Sequence, residues 1–469
     1  MKYFSTNKSI PSVSLMEAVT KGLASDNGLF MPEKIEEFHP DFFKNIHRMS
    51  FQEISFEVAK KFFGEDIPDQ ILKNIVYDTL SFDCPVIQVN KNIYSLELFH
   101  GPTMAFKDVG GRFMARLLGY FLQGFKKEVN VLVATSGDTG SAVANGFYKV
   151  PGIKVYVLYP KGLVSDIQEK QFTTLGNNIT SLEIDGTFDD CQRLVKSAFL
   201  DKELNKALVL TSANSINVAR FLPQAFYYFN AYARLREAGI TDDLVFSVPS
   251  GNFGNLTAGL FAKFMGLPVK RFIAGNNEND IVYKYLKTGK YNPRASVATI
   301  ANAMDVGDPS NFARILELYN HSHKDISADT VGYRYSDDEI RETMKQVFED
   351  DKYMVDPHGA VGYRALKADL KAGEVGVFLE TAHPAKFTET VEGVLGKGTV
   401  ILPEKLAAFM KGEKLSIELR TDFDDFKHFL LNEQSRNLGA SPRGIKKTNG
   451  QGKIRTDPKV GVLNQKENK

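Results

Sequence analysis

Residues 244–259 read Leu244-Val245-Phe246-Ser247-Val248-Pro249-Ser250-Gly251-Asn252-Phe253-Gly254-Asn255-Leu256-Thr257-Ala258-Gly259. A short apolar, β-branched run ends at Pro249, the chain turns through two glycines, and an apolar helical pattern then continues to Met265. A strand that feeds a helix through a glycine turn is the repeating unit of a buried parallel sheet. The same order recurs elsewhere. Val129–Ala134 leads through a hydroxyl-rich turn into Ala142–Phe147, and Ile153–Leu158 ends at Tyr159-Pro160. Leu208–Leu210 runs into Thr211-Ser212-Ala213-Asn214, Arg271–Ala274 ends at Gly275, and Gly376–Glu380 ends at Thr381. So many units predict two α/β lobes. Ligands of such sheets sit beyond the carboxyl ends of the strands, so the glycines and polar residues gathered there are the candidates for chemistry.

Composition agrees with a large folded chain. At roughly 100–200 residues per domain, 469 residues with 43% hydrophobic content predict two or three domains. Lys+Arg total 58 and Asp+Glu 57, which argues against a globally basic nucleic-acid binder. The balance hides an asymmetry: Arg436 to Lys469 holds nine basic and two acidic residues, while the preceding chain carries 49 basic against 55 acidic. With few large apolar residues, that tail is expected to stay unfolded as a solubilising extension. No apolar run approaches the roughly 20 residues of a membrane helix, and the first residues lack a signal-peptide pattern. Cys84 and Cys191 are the only cysteines, so a disulfide framework or a cysteine zinc site is not expected, and a reducing, cytoplasmic setting is. Residues 1–90 read as mainly helical, with the phenylalanines between Phe38 and Phe63 as packing.

Four turns carry candidate chemistry. In the first, the helix start after Gly251 and Gly254 offers free N–H groups to a phosphate. It holds no Lys or Arg and is neither a P-loop nor a dinucleotide fingerprint. The second is Glu97-Leu98-Phe99-His100-Gly101-Pro102-Thr103-Met104-Ala105-Phe106-Lys107-Asp108. Apolar neighbours lower a lysine's proton affinity from its usual pKa near 10.4, which makes Lys107 a usable nucleophile or base. The third, Thr135-Ser136-Gly137-Asp138-Thr139-Gly140, has more hydroxyl and carboxyl groups than one helix cap requires, so it is read as a carboxylate-gripping turn. In the fourth, Thr381 stands at a strand end where its hydroxyl can meet a ring nitrogen, and His383 before Pro384 reads as structural. No His-Glu-x-x-His or Gly-x-Ser-x-Gly pattern is present, and no metal is expected. An amine, a neutral phosphate cradle, a carboxylate turn and a hydroxyl at a strand end form the set that pyridoxal phosphate needs.

The chain resembles the threonine synthases, a family of fold-type-II pyridoxal-phosphate enzymes. The resemblance runs to about Arg436. It is carried by Lys21 to Leu29, His100 to Gly111, Ser136 to Gly140, Ser212 to Asn217, Ser250 to Asn255, Ala303 to Phe312, Asp356 to Val361 and Thr381 to Phe387. Asn27 stands where the family usually has glycine. The resemblance implies two parallel-sheet α/β lobes of the tryptophan synthase β-like kind behind a mainly helical N-terminal segment. The expected divisions are 1–90 for that segment, 91–220 for a smaller lobe, 221–405 for a larger cofactor-binding lobe, 406–435 for a C-terminal helical segment and 436–469 for the basic tail. It implies that Lys107 holds the cofactor covalently and shuttles protons. Gly251, Asn252, Phe253, Gly254 and Asn255 would bind the cofactor phosphate, with Thr381 at the pyridine nitrogen. Ser136, Asp138 and Thr139 would lie near the substrate carboxylate, and Asn214, Ser215, Asn217 and Arg220 near the substrate phosphate. The implied reaction converts O-phospho-L-homoserine and water to L-threonine and phosphate. A related lyase or dehydratase acting on a hydroxy- or phospho-amino acid is the alternative, since it would keep Lys107 and the phosphate loop.

Overall fold

In the computed structural model, which describes residues 1–124, 127–240 and 243–437, the strand Leu244–Pro249 lies inside a six-stranded sheet. All six of its residues are buried, as a continuous apolar run requires. It pairs in parallel with Arg271–Asn276 on one side and Val375–Glu380 on the other. Thr330–Arg334 extends the sheet beyond 271–276 in parallel; Ile93–Glu97 pairs in parallel with 375–380, and Val86–Asn90 closes that edge antiparallel. A second, five-stranded sheet runs in the order Ile417–Leu419, Ile179–Ile184, Ile153–Pro160, Val129–Ala134, Val209–Ser212, all parallel. Two parallel-sheet lobes are thus present. The N-terminal segment is mainly helical, with Leu15–Lys21, Pro40–Asn45, Phe51–Phe63 and Asp69–Thr79, and adds a three-stranded antiparallel sheet of Val13–Ser14, Lys2–Ser5 and Phe30–Pro32.

The lobes interleave in sequence, and here the structure departs from the expected divisions. Ile93–Glu97 was expected in the smaller lobe, yet it belongs to the larger sheet, in register with Val375–Glu380. The C-terminal segment is not a separate helical unit. Its strand Ile417–Leu419 joins the smaller sheet, and Phe426, Phe429 and Leu430 of the helix Phe423–Asn437 pack with Leu132, Tyr156 and Leu182. Long-range parallel pairing decides these memberships, and chain order does not report it. Residues 438–469, most of the expected basic tail, lie outside the described residues. Among the described residues, no helix is long and apolar enough to cross a membrane.

The phenylalanine-rich segment packs as read and holds the helices that frame the cleft. Phe43 stacks against Phe229 at 6.2 Å between centroids and meets Tyr232 edge-on at 6.0 Å. Phe63 packs on Phe113 of the helix Lys107–Phe121 at 5.0 Å, and Phe62 on Phe261 of the helix Gly254–Phe264 at 6.3 Å. The helix Lys107–Phe121 also touches Asp138–Phe147 backbone to backbone: a Cβ on Gly146 would stand 3.0 Å from the Gly111 carbonyl carbon. Glycine suits that close approach, which holds the start of the Lys107 helix against the last turn of Asp138–Phe147.

Arg314 fastens the N-terminal segment to the larger lobe. Its buried guanidinium donates to Phe30 O from Nε and Nη2 at 3.1 Å each, to Ser215 O at 2.8 Å, to Ile216 O at 2.6 Å and to Asn311 Oδ1 at 2.6 Å. It lies 4.0 Å over the Phe221 ring. Arg314→Met would leave those carbonyls unpaired in the interior. It is expected to cost roughly 3 kcal/mol, read as a lower denaturant midpoint and lower thermal midpoint than wild type.

Candidate active site

A short backbone pairing just beyond the neighbouring strands Ile93–Glu97 and Val375–Glu380 places the reactive turn. Phe106 N donates to Thr381 O at 2.8 Å, His383 N donates to Met104 O at 3.1 Å, and Ala105 bridges Ala382 antiparallel. The turn before Lys107 is braced by Asp108, which accepts from Thr103 N at 2.9 Å and Thr103 Oγ1 at 2.7 Å. Lys107 and Thr381 thereby face one cleft of about 770 Å³, open mouth included. Ser136, Thr139, Asn214, Ser215, Arg220 and Gly251–Asn255 also line it, so most of the candidate residues come together. Lys107 Nζ donates to Thr139 Oγ1 at 3.2 Å and sits 4.6 Å from the centre of the Phe106 ring. Desolvation lowers its pKa to about 8, against a raising influence from Asp138, with Arg220 and Lys386 adding to the lowering.

The Gly251–Asn255 turn has the strand-to-helix form its sequence predicts. Phe253 takes the left-handed conformation at φ 59°, and the helix Gly254–Phe264 starts at the next residue. Among the described residues, the amides of Gly251, Asn252, Phe253, Gly254 and Asn255 have no hydrogen-bond acceptor. A Cβ on Gly251 would stand 2.5 Å from Ala303 O, so this position has no room for a side chain. The Asn252 carbonyl accepts from Asn311 N at 3.2 Å, and Asn255 Nδ2 donates to Pro249 O at 2.9 Å, which holds the loop open.

The hydroxyl-rich turn divides its labour in a way the sequence did not show. Thr135 does the capping: its Oγ1 accepts from Gly137 N at 2.9 Å and Gly140 N at 2.8 Å. Ser136 and Thr139 are left at the cleft wall. Asp138 does not line the cleft; its Oδ1 lies 2.6 Å from Lys386 Nζ and accepts from Gln168 Nε2 at 2.8 Å. Asn217 is likewise withdrawn. Its Nδ2 donates to Val19 O at 2.9 Å and Ser212 O at 3.0 Å, while its Oδ1 caps Ala219 N at 3.0 Å. Asn214 lines the cleft, with its amide zipped to Ala134 N and O at 3.2 and 2.8 Å. His383 caps the turn Pro384–Phe387 through Ala385 N at 3.1 Å, a structural use.

Arg220 stands apart. It is 2% exposed, and its Nε and Nη1 are buried with no hydrogen-bond partner. Burial pulls its pKa down to about 10, against the pull of Asp108. A cation this deep with unused donors is poised for an anion. Several wall residues were not assigned from sequence. His358 accepts from Ala303 N at 3.2 Å and pairs through Nδ1 with Asp356 at 2.7 Å. Asn302 to Val306, Phe188 and Gln224 complete the lining. The segments around 304 and 358 were visible as motifs, but nothing local says which atom they present.

These residues fit pyridoxal phosphate: a desolvated amine, five free amides at a helix start, and a threonine hydroxyl at a strand end share one cleft. Comparison with known proteins agrees. A family model described as pyridoxal-phosphate dependent enzyme matches residues 79–381, one for the threonine synthase N terminus matches 2–80, and one for the threonine synthase C-terminal part matches 359–430. The threonine synthase of Escherichia coli is 47% identical over 92% of this chain and 100% of its own. The chain belongs to the threonine synthase family. It is accordingly a pyridoxal-phosphate-dependent lyase. The crystal structure of the Escherichia coli threonine synthase superposes with a TM-score of 0.87 at 46% identity, covering 92% of this chain and 100% of that one. A PLP-bound threonine synthase from Brucella melitensis superposes at 0.85 with 33% identity, covering 92% and 99%. A diaminopropionate ammonia lyase of Escherichia coli, 17% identical at a TM-score of 0.54, shares the fold.

The lowered basicity of Lys107 has a stability consequence for this chain when free of cofactor. In the folded chain the amine loses its proton near pH 8, below the unfolded value of 10.5. The cost of burying its charge is therefore full below about pH 8 and fades as pH rises toward about 10.5. Lys107→Met is expected to raise the thermal midpoint of the cofactor-free chain at pH 7, with the gain shrinking across that window in melts taken at stepped pH.

Proposed function

We propose that this chain converts O-phospho-L-homoserine and water to L-threonine and phosphate, the closing step of threonine biosynthesis, with the cofactor carried on Lys107. The observation that supports this reading best is the pairing of two differently tuned cations in one cleft: a desolvated amine, Lys107, and a buried guanidinium with unused donors, Arg220. When bound, pyridoxal phosphate supplies an aldehyde that captures amino groups and a ring that draws electrons from the adjoining carbon.

The chain's own residues do the rest. The amides of Gly251, Asn252, Phe253, Gly254 and Asn255 hold the cofactor phosphate at the helix N-terminus, where the dipole favours negative charge. Thr381 offers the ring nitrogen a neutral hydroxyl. Ser136 and Thr139 receive the substrate carboxylate. Burial lowers the pKa of Lys107 to about 8, which suits it to remove the Cα proton and later return protons. A Cβ proton is lost as the substrate phosphate, taken by Arg220 beside Asn214 and Ser215, leaves from Cγ; a proton is then delivered to Cγ, water adds its hydroxyl at Cβ, and a proton returns to Cα. A guanidinium suits this task because it binds phosphate through several N–H groups at once. Asp138 and Asn217 are given no contact with substrate, since Asp138 Oδ1 and both amide atoms of Asn217 are engaged elsewhere. Cys84 and Cys191 are buried free thiols, which supports a reducing, cytoplasmic setting.

Lys107→Ala is expected to abolish threonine and phosphate formation from O-phospho-L-homoserine while the far-ultraviolet circular dichroism stays that of wild type. Arg220→Met is expected to lower kcat/KM for this substrate roughly 10- to 100-fold, the weight of one charge-assisted hydrogen bond. Release of 2-oxobutyrate in place of threonine by the wild type would favour a dehydratase and overturn the reading.

A further inference from the structure

The pair formed by Asp138 and Lys386 has no part in the reaction as described, and its placement calls for a reason. Lys386 Nζ lies 2.6 Å from Asp138 Oδ1, with the two side chains 0% and 6% exposed. The ammonium also donates to Thr103 O at 2.9 Å, in the turn that precedes Lys107. Gln168 Nε2 donates to the same carboxylate oxygen at 2.8 Å, and Ser165 Oγ donates to Lys386 O at 3.0 Å. Asp138 opens the helix that follows a strand of the smaller sheet, and Lys386 lies in the turn that follows a strand of the larger one. A fully buried ion pair is weak evidence of stabilisation, because desolvation cancels most of the attraction. Asp138 is the chain neighbour of Thr139, the residue to which Lys107 donates. Without Lys386, this carboxylate, whose charge acts on Lys107, would be left without its counter-ion.

We propose that Lys386 is a positioning residue for the reaction: by occupying Asp138 it keeps that carboxylate from holding a proton on Lys107. Four charged groups bear on the arrangement, and His358 of the helix Pro357–Asp369, at the cleft wall, interacts with Asp138 as well. Asp138 comes from the helix Asp138–Phe147, Lys386 from the turn Pro384–Phe387, Arg220 from the helix Val218–Phe221, and Asp108 from the helix of Lys107 itself. Asp138 favours the protonated amine, while Arg220 and Lys386 oppose it. Asp108 bears on Arg220 and is tied to Thr103. Removing Lys386 therefore takes away an opposing charge and frees the favouring one, and both changes act in the same direction.

The proposal rests on Lys107 as the reacting amine, and its test reads that amine without turnover, so the two readings fail separately. Full-length chain freed of cofactor is labelled with trace acetic anhydride across a pH series, and acetylation of Lys107 is followed by peptide mass spectrometry. In Lys386→Met the inflection is expected to move up by roughly one pH unit or more, the scale of a nearby unpaired opposite charge. Lys386→Arg, which keeps the pair, is expected to hold the wild-type inflection. Asp138→Asn combined with Lys386→Met, which removes both charges, is expected to return close to it. A purely structural pair would lower thermal stability and leave the inflection in place. A folded Lys386→Met chain that titrates like wild type would overturn the proposal. If that chain does not fold, the other two variants decide, and an upward shift in the double variant would overturn it.

Discussion

Arg220 and Lys386 both lie within electrostatic reach of Lys107, and Asp138, the carboxylate that acts on the same amine, is already paired. That concentration of desolvated cations is the constraint around which the rest of the molecule is arranged. Like charges in a low-dielectric interior repel strongly, so they stay together only where surrounding structure holds them. The backbone pairing of 104–106 with 381–383 holds the Lys107 turn. Gly111 and Gly146 bring the helices of Lys107 and Asp138 into contact. The phenylalanines of the N-terminal segment brace the helices of Lys107 and of the phosphate loop from outside. A second buried guanidinium, Arg314, clamps the Ser215–Ile216 turn at the cleft edge.

The same constraint gives the cleft its chemistry. An amine that burial makes easier to deprotonate is a better nucleophile and base near neutral pH. A guanidinium with unused donors attracts a dianion, and a loop of bare amides attracts another without adding a further positive charge. In the proposed reaction the two phosphates are sorted by the kind of donor each meets, amides for the cofactor and a side-chain cation for the substrate.

Much of this was legible in the residues. The strands at 129–134, 153–160, 244–249, 271–276 and 375–380 announce themselves as buried β-branched runs, because strands covered on both faces need no polar alternation. The shorter, partly exposed strands Val86–Asn90 and Thr330–Arg334 carry no such signal, and neither do the N-terminal strands of two to four residues. In the site, Lys107 and Gly251–Asn255 could be read because local chain chemistry constrains them: an apolar turn before a lysine, and glycines where a helix starts. Asp138 and Asn217 could not be placed correctly, since an acid or amide in a turn looks the same whether it faces a ligand or a distant carbonyl. Thr135 took the capping role that its neighbours might equally have filled.

The sequence by itself determined the α/β class and the family, and it pointed to Lys107 and the Gly251–Asn255 turn as site candidates, since each is written in contiguous residues whose spacing has a local physical meaning. The tertiary structure alone decided that Ile93–Glu97 crosses to the larger sheet and that the C-terminal strand returns to the smaller one. It alone decided that Arg220 is buried with unused donors and that Lys386 reaches Asp138. Those facts depend on which distant segments approach each other, and on the desolvation their approach creates. Both are properties of the packed chain as a whole.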